Sequence, residues 1–535
     1  VNSAVYMLRK DAQQFRTFLN SLSIDDVLVG FNVHFDLRVL AMNGYPIPKC
    51  QVRDVMIGYL SNKGLKQLHK EVFKSTASER DEMLTALSLM YPGRRPSELM
   101  TMTECVPQLA IKYCKRDVQM TKELYEALPK NKQDALDFCH AIPLSVARYV
   151  QGVFFDRTIL EKLLRKPKPL ILIDKVDKRG VVHSVRMNVN SNKQVQAYLG
   201  ITGSAAKGVL EELGTDKASK VLAVRSFYAQ RNIAKSIYEH GEGRDIIVVR
   251  PTERPVTVTG RMTSVEPCLH QMPSASNGHL LFDVKQAIRP YDGDRLIVAD
   301  FSQLELRILA CIIHPWNPLL LEAFRRGEDC HTTNANMIFG GSAGENFLLN
   351  IGADKNKVAK IYNGSNVVET ERDILGSGII RKRTKNTVFA LMYGGGVAKV
   401  AAMTKTSVGE ARSTSRRVKA TLFLDQATSF CRRVRQTLLL HRPVEEDPIR
   451  TLLNRTIQGT AADCLHISVE RLHRMSYVRP MLTIHDEIWN SVSGLNPLRM
   501  AQIEKALQVE LAITKESSLI LSAEPKEKQW QQSEK

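Results

Sequence analysis

The residues best placed to do chemistry lie where apolar runs stop on acids. In Leu296-Ile-Val-Ala-Asp300-Phe-Ser-Gln303-Leu-Glu305-Leu-Arg307, four apolar residues end on a carboxylate and a helix-like segment starts at once. Leu296 to Ala299 fit a buried strand, and Leu304, Leu306, Ile308 and Leu309 among polar neighbours fit a partly buried helix that Ser302 helps to start. A single Asp at such a junction is most simply a helix cap. A second acid changes that reading. Met481-Leu-Thr-Ile-His485-Asp486-Glu487-Ile-Trp-Asn-Ser-Val492 is two strand-like runs around three polar residues, a hairpin with acids at its tip. Mg²⁺ takes oxygen ligands, keeps several waters and is usually held by one or two carboxylates plus substrate phosphates. Asp300 and Asp486 on neighbouring strands would meet that need.

Between the acids lies Arg381-Lys-Arg-Thr-Lys385-Asn-Thr-Val-Phe389-Ala-Leu-Met-Tyr393-Gly394-Gly-Gly396. Arg381, Lys385, Phe389 and Tyr393 recur every four residues, which on a helix makes one slowly drifting stripe. It is cationic at its start and aromatic at its end, and the glycines stop the helix. That order suits a nucleotide, with phosphates on the cations and base or sugar against the rings. A surface helix with chance basic residues is the plain alternative; three such segments in one chain argue against it.

In these segments the chain resembles the family A DNA polymerases, the class of bacterial DNA polymerase I and many phage replicative enzymes. Asp300 to Arg307 is similar to motif A (DYSQIELR), Arg381 to Gly394 to motif B (RxxxKxxxFxxxYG) and His485-Asp486-Glu487 to motif C (HDE). Thr259-Gly260-Arg261, with Ser264, Pro267 and Pro273, resembles the TGR segment ahead of motif A. Arg450, Asn454, Gln458 and Asp463 match the RxxxNxxxQGxAAD helix ahead of motif C. The resemblance implies an α/β multidomain fold, a right-hand palm, fingers and thumb preceded by a partial RNase H-like exonuclease domain.

The resemblance also implies roles. Asp300 and Asp486 hold two Mg²⁺ ions, one lowering the pKa of a primer 3′-hydroxyl and one clamping the triphosphate. Arg381 and Lys385 neutralise the phosphates, Phe389 and Tyr393 wall the nascent base pair, and Gln303 and His331 join the nucleotide site. Glu305 sits below the sugar and leaves no room for a 2′-hydroxyl, so the substrates are dNTPs; Phe389 in place of tyrosine implies poor use of dideoxynucleotides. Arg261, Arg231, Lys235, Arg450, Asn454, Gln458, His485 and Glu487 contact primer-template DNA. A processivity or replisome protein is allowed for as a further partner. A single-subunit RNA polymerase, or a degenerate polymerase that only holds primer-template, are the rival readings.

A second resemblance lies near the start of the chain. Asn32-Val-His-Phe35-Asp36 is similar to the Exo II motif of proofreading exonucleases, and Tyr113-Cys-Lys-Arg-Asp117 to Exo III (YxxxD). The DxE pair of Exo I is not found: residues 1–31 hold Asp11, Asp25 and Asp26 and no glutamate. Val1 in place of Met suggests a fragment that extends primers without proofreading.

Composition fits this reading. An excess of 19 basic over acidic residues suits a partner made of phosphates. The nine cysteines form no CxxC pair; Cys139-His140, Cys330-His331 and Cys464-Leu-His466 lack zinc spacing and read as buried or incidental. No apolar run approaches the ~20 residues that span a bilayer, and a cytoplasmic location is expected, that of the host if the gene is viral. Gly203-Ser-Ala-Ala-Lys207 lacks the spacing of a phosphate loop. The expected organisation is 1–135 partial exonuclease-like domain, 136–255 thumb and connecting helices, 256–314 palm with motif A, 315–430 fingers and 431–535 palm with motif C. A loop-rich insertion is expected at about 341–378, and the T-x-x-G-R segment is not recognisable near Thr437 to Pro443. These departures favour a phage or prophage type.

Overall fold

The computed structural model describes residues 12–59, 65–73, 107–128, 141–254, 259–272, 283–339, 379–442, 444 and 451–528, apart from positions 177, 180, 203, 207, 208, 211, 212, 214 and 405. Pro273, Arg450, Gly203, Lys207, the expected first domain boundary near 135 and the expected insertion at about 341–378 lie outside the described residues. Chain contacts divide the molecule into two compact units: 1–152 with 253–263 and 440–443, and 153–252 with 264–439 and 444–535.

The first unit contains α1 (Ala12–Ser21), β1 (Val27–Gly30), α2 (Val33–Met42), β2 (Gln51–Asp54), α3 (Val55–Gly58), α4 (Leu65–Phe73), α5 (Pro107–Glu126) and α6 (Ala141–Gln151). β1 and β2 pair in parallel, which requires the crossover that α2 supplies. Asn32, at φ 55°, turns the chain from β1 directly into α2, a left-handed geometry that asparagine tolerates better than most residues. The buried Asp54 carboxylate accepts the N–H groups of Asn32 (2.9 Å), Val33 (2.9 Å) and Met56 (3.0 Å), so one side chain closes the start of two helices. Val33 and Leu37 of α2 pack with Val52, Ile57, Ile142 and Val146.

The second unit continues with β3 (Val153–Asp156), α7 (Arg157–Arg165), β4 (Leu172–Val176), β5 (Val182–Arg186), α8 (Asn192–Leu199), α9 (Asp216–His240), β6 (Ile246–Val249), β7 (Thr252–Arg254), β8 (Thr263–Val265), β9 (Ile288–Arg289), β10 (Arg295–Phe301) and α10 (Leu304–Ile313). Then come α11 (Leu319–Arg325), α12 (Cys330–Phe339), α13 (Ile379–Met392), α14 (Val397–Thr404), α15 (Val408–Thr421), α16 (Leu424–Val434) and α17 (Leu452–His473). The chain closes with β11 (Val478–Ile484), β12 (Glu487–Val492), α18 (Pro497–Ala506), β13 (Val509–Ala512), β14 (Ser518–Leu521) and β15 (Ala523–Glu527). β7 and β8 straddle the boundary between the units.

An antiparallel sheet in the order β11-β12-β10-β15 is the platform of the site. Leu296, Leu482, Ile484 and Trp489 bury their side chains with Phe155 and Ile247 from the β6-β3-β9 sheet. α10 departs from the expected half-buried helix: every residue but Arg307 is buried, because α11, α16, α17, β13 and β14 pack around it. Its start also departs from expectation. The N-cap is Gln303, in a left-handed conformation and without a side-chain cap, not Ser302. Among the described residues no helix is long and apolar enough to cross a membrane.

Candidate active site

Asp300 is the penultimate residue of β10 and Asp486 is the second residue of the tight turn between β11 and β12. The turn is possible because His485 adopts φ 55°. In register, Asp300 stands opposite Glu487 on β12, and the Phe301 N–H donates to the Asp486 carbonyl at 3.2 Å. The sheet thus brings both predicted acids to the same end of adjacent strands. Asp300 reaches solvent, yet partial burial and then the nearby Glu487 raise its pKa, opposed by Lys285 and Lys526. Glu487 is engaged: its Oε2 accepts from Lys285 Nζ at 2.8 Å and from Trp489 Nε1 at 2.9 Å. Lys285 and Lys528 also lie over the Trp489 ring, at 5.8 and 4.4 Å. An open cavity of about 810 Å³ adjoins Asp300, Glu487, Lys285, Arg307 and Lys526. The donor set at the strand ends is oxygen alone, which suits Mg²⁺. Among the described residues no group of three or more His, Cys, Asp or Glu converges into a closed metal cluster.

The predicted stripe is α13. Phe389 and Tyr393 lie with ring centroids 5.7 Å apart, and His331 from α12 is 5.9 Å from Phe389. The Tyr393 hydroxyl donates to Glu305 Oε2, so the stripe ends on the buried acid of α10. Burial, then Lys385 and Arg381, push the His331 pKa down to about 4, which leaves its ring neutral near pH 7. Arg381 is held by a residue that sequence reasoning missed. Its Nε and Nη2 donate to the two oxygens of Asp329 at 2.6 and 3.0 Å, and Asp329 also caps α12 by accepting from Thr332 N–H and Oγ1 at 3.3 and 2.6 Å. Burial alone would raise the Asp329 carboxyl, but Arg381 and Thr332 outweigh it and hold it below the usual range. Arg381 Nη1 faces no hydrogen-bond partner among the described residues. The exposed Lys385 is one turn further along the stripe. Gln303 Oε1, at the start of α10, is buried and has no hydrogen-bond partner among the described residues.

The other predicted residues are more dispersed. Asn454 and Gln458 share one half-buried face of α17, and His485 is exposed on its turn. On α9, Arg231 is half-buried and the exposed Lys235 pairs with Glu239 at 3.2 Å. Tyr238 of the same helix is used inside the fold: its hydroxyl accepts from Arg157 at 2.6 Å and donates to Glu161 at 3.3 Å, tying α9 to α7. In the first unit, Arg261 is half-buried and follows Gly260 at φ 72°. A Cβ at Gly260 would collide with the Arg442 guanidinium, which also donates to the Thr259 carbonyl at 3.2 Å. Arg442 was missed because its partners are remote in sequence; the unrecognised segment near Thr437 to Pro443 contains it. Asp36 is exposed on α2 with its pKa pushed up to about 6 by desolvation, and the buried Asp54 nearby is pushed up to about 6, by desolvation first and by Asp36 last. Asp117 is half-buried on α5, whose backbone also carries Tyr113.

Comparison with known proteins places this geometry. The family described as DNA polymerase family A matches residues 174–347. The chain is similar to DNA polymerase I of Lactococcus lactis subsp. cremoris, 29% identical over 330 residues, 56% of this chain and 35% of that protein. It is similar to DNA polymerase I of Borreliella burgdorferi, 22% identical over 515 residues, 88% of this chain and 52% of that protein. A solved structure, the POL domain of Pol1 from M. smegmatis in complex with DNA primer-template and dNTP, shares the fold with a TM-score of 0.63 at 18% identity, over 96% of this chain and 88% of that one. The chain spans between 35% and 52% of the length of these two curated relatives. The acids at one end of the sheet and the stripe of α13 accompany these likenesses: over residues 174–347 the chain is similar to DNA polymerase family A.

Proposed function

We propose that this chain adds deoxynucleotides to a primer 3′-hydroxyl in the order dictated by a DNA template, with release of pyrophosphate. The observation that carries the reading is the hydrogen bond from Tyr393 to Glu305. It joins the nucleotide stripe of α13 to α10, the helix that begins just after Asp300. Asp300 and Asp486 would hold Mg²⁺; partial burial first, and then Glu487, raise the Asp300 pKa against the pull of Lys285 and Lys526. When bound, two Mg²⁺ ions supply an activated 3′-oxygen and charge neutralisation on the leaving group. Arg381 Nη1 and Lys385 would take the phosphates, help that is mostly positional and electrostatic. Phe389, Tyr393, His331 and Gln303 would shape the base and sugar pocket, and Glu305 would exclude a 2′-hydroxyl.

Primer-template contacts are assigned to Asn454, Gln458 and His485, to Arg231 and Lys235 on α9, and also to Arg261 and Arg450; Glu487 would stand at the primer end. The assignment takes 136–255 as thumb, 315–430 as fingers, and 256–314 with 431–535 as palm, acting in the cytoplasm. Primer extension with Mg²⁺ and dNTPs tests the reading on the wild type and on Asp486→Ala. Extension by the first and none by the second is expected. Two silent reactions would favour a primer-template-binding scaffold, and ribonucleotides used as readily as deoxynucleotides would favour an RNA polymerase.

A further inference from the structure

Helix α15 carries positive charge that is mostly unpaired among the described residues. Its buried stripe is Ala411, Ser415 and Val418, and it packs on α12, α13 and α14. Arg412, Arg416 and Lys419 form a second stripe, also at i, i+4 and i+7, and all three are exposed, as is Arg417. The one acid of the helix, Glu410, is spent in its first turn, closing a capping box with Ser407. Lys419 pairs loosely with Asp425, at 3.8 Å; among the described residues Arg412, Arg416 and Arg417 form no ion pair. Like charges one turn apart weaken a helix, so the Arg412–Arg416 repeat costs stability that no ion pair among the described residues offsets. The next helix, α16, ends on Arg432 and Arg433, both exposed, which extends the charge.

We propose that this face of α15 binds the uncopied, single-stranded part of the template. The inference rests on the polymerase reading above. Arginine points to phosphate, because its planar fork matches phosphate oxygens and is weakly hydrated. The exposed Ser413 between the arginines adds a hydroxyl of the kind that positions phosphates. The nucleotide stripe of α13 is turned toward α12 and α10, through His331 and Glu305. A template copied there must arrive as an unpaired strand, and binding an unpaired strand without sequence preference needs a cationic track.

The test compares primer-templates with 5′ template overhangs of about 2 and about 30 nucleotides, binding measured by fluorescence anisotropy across a salt series. Wild type should bind the long overhang about tenfold more tightly, and R412Q/R416Q should lose that preference while binding the short overhang unchanged. The salt slope for the long overhang should become shallower by about 1.4, two phosphate contacts at about 0.7 each for a single strand. Melting by circular dichroism should show the variant no less stable than wild type. Equal binding of both overhangs by wild type, or equal weakening of both in the variant, would overturn the proposal. A wild type that fails to extend the short-overhang substrate would instead sink the polymerase reading, whatever the α15 arginines do.

Discussion

Arg381 already has a partner at the site where a triphosphate is expected, and the geometry of that pair decides what Asp329 does. The carboxylate takes Nε and Nη2 and leaves Nη1 pointing away, so it fixes the plane of the guanidinium without blocking it. Asp329 is then a positioning residue, and Asp329→Asn should keep one acceptor but lose the charge-assisted fork. The KM for dNTP should rise about fivefold, for a loss of ~1 kcal/mol, with kcat less affected; steady-state kinetics would show it. A fall in KM would mean that the carboxylate competes with phosphate for Arg381. His331 gives a pH prediction with a definite sign. Its folded pKa is about 4 against an ordinary 6.5, so the unfolded chain binds the extra proton first as pH falls. The neutral ring therefore contributes stability above about 6.5 that is lost progressively toward about 4. Denaturant midpoints followed between those pH values should fall less steeply in His331→Gln than in wild type. An acid limb of activity near pH 6.5 should survive that substitution, because His331 is not its source.

At the scale of elements, Gly260 and Arg442 show how distant segments fix a turn. Gly260 sits at φ 72°, where a side chain costs ~1–2 kcal/mol in backbone strain, and its missing Cβ is the space that the Arg442 guanidinium fills. Gly260→Ala should destabilise the first unit by ~1–3 kcal/mol and displace Arg442, whereas Gly293→Ala, at φ 81° with open space around it, should show backbone strain alone. Urea denaturation of the two variants compares them. This pair also marks the limit of what was legible beforehand. β10 with Asp300 at its end, the hairpin carrying Asp486 and the stripe of α13 were all readable, because period and punctuation are local properties of the chain. Asp329, Lys285 and Arg442 were not, since each matters through a partner dozens to hundreds of residues away. The complete burial of α10 was hidden for a related reason. Glu305 and Arg307 make it look amphipathic, but Glu305 is buried because Tyr393 supplies its hydrogen bond, and Arg307 escapes by lying over Phe324 at 4.6 Å.

For the whole molecule, the question is whether the first unit contributes chemistry or architecture. The His34 ring contacts Ser145 Oγ at 2.9 Å, Ser145 donates to Glu253 at 3.1 Å, and Arg148 completes the Glu253 carboxylate at 2.7 Å, with all four side chains buried. This network ties residues 253–263, which carry Gly260 and Arg261, to α2 and α6. Breaking one member of such a pair leaves a buried charge unpaired, so the unit has a structural reason to persist whether or not it cuts DNA. Its acids point the same way. Asp54 spends its oxygens on three backbone N–H groups, and the pKa of the solvent-exposed Asp36 is pushed up to about 6 by desolvation. A two-metal nuclease needs several carboxylates free to take cations. This chain should therefore extend a primer without shortening single-stranded DNA. A 5′-labelled oligonucleotide incubated with Mg²⁺ or Mn²⁺ should keep its length under conditions in which a primed template is fully extended, and Asp36→Ala should change neither result. Shortening that needs metal and disappears in Asp36→Ala would show that Asp36 and Asp117 suffice for cutting, and that the unit is an enzyme in its own right.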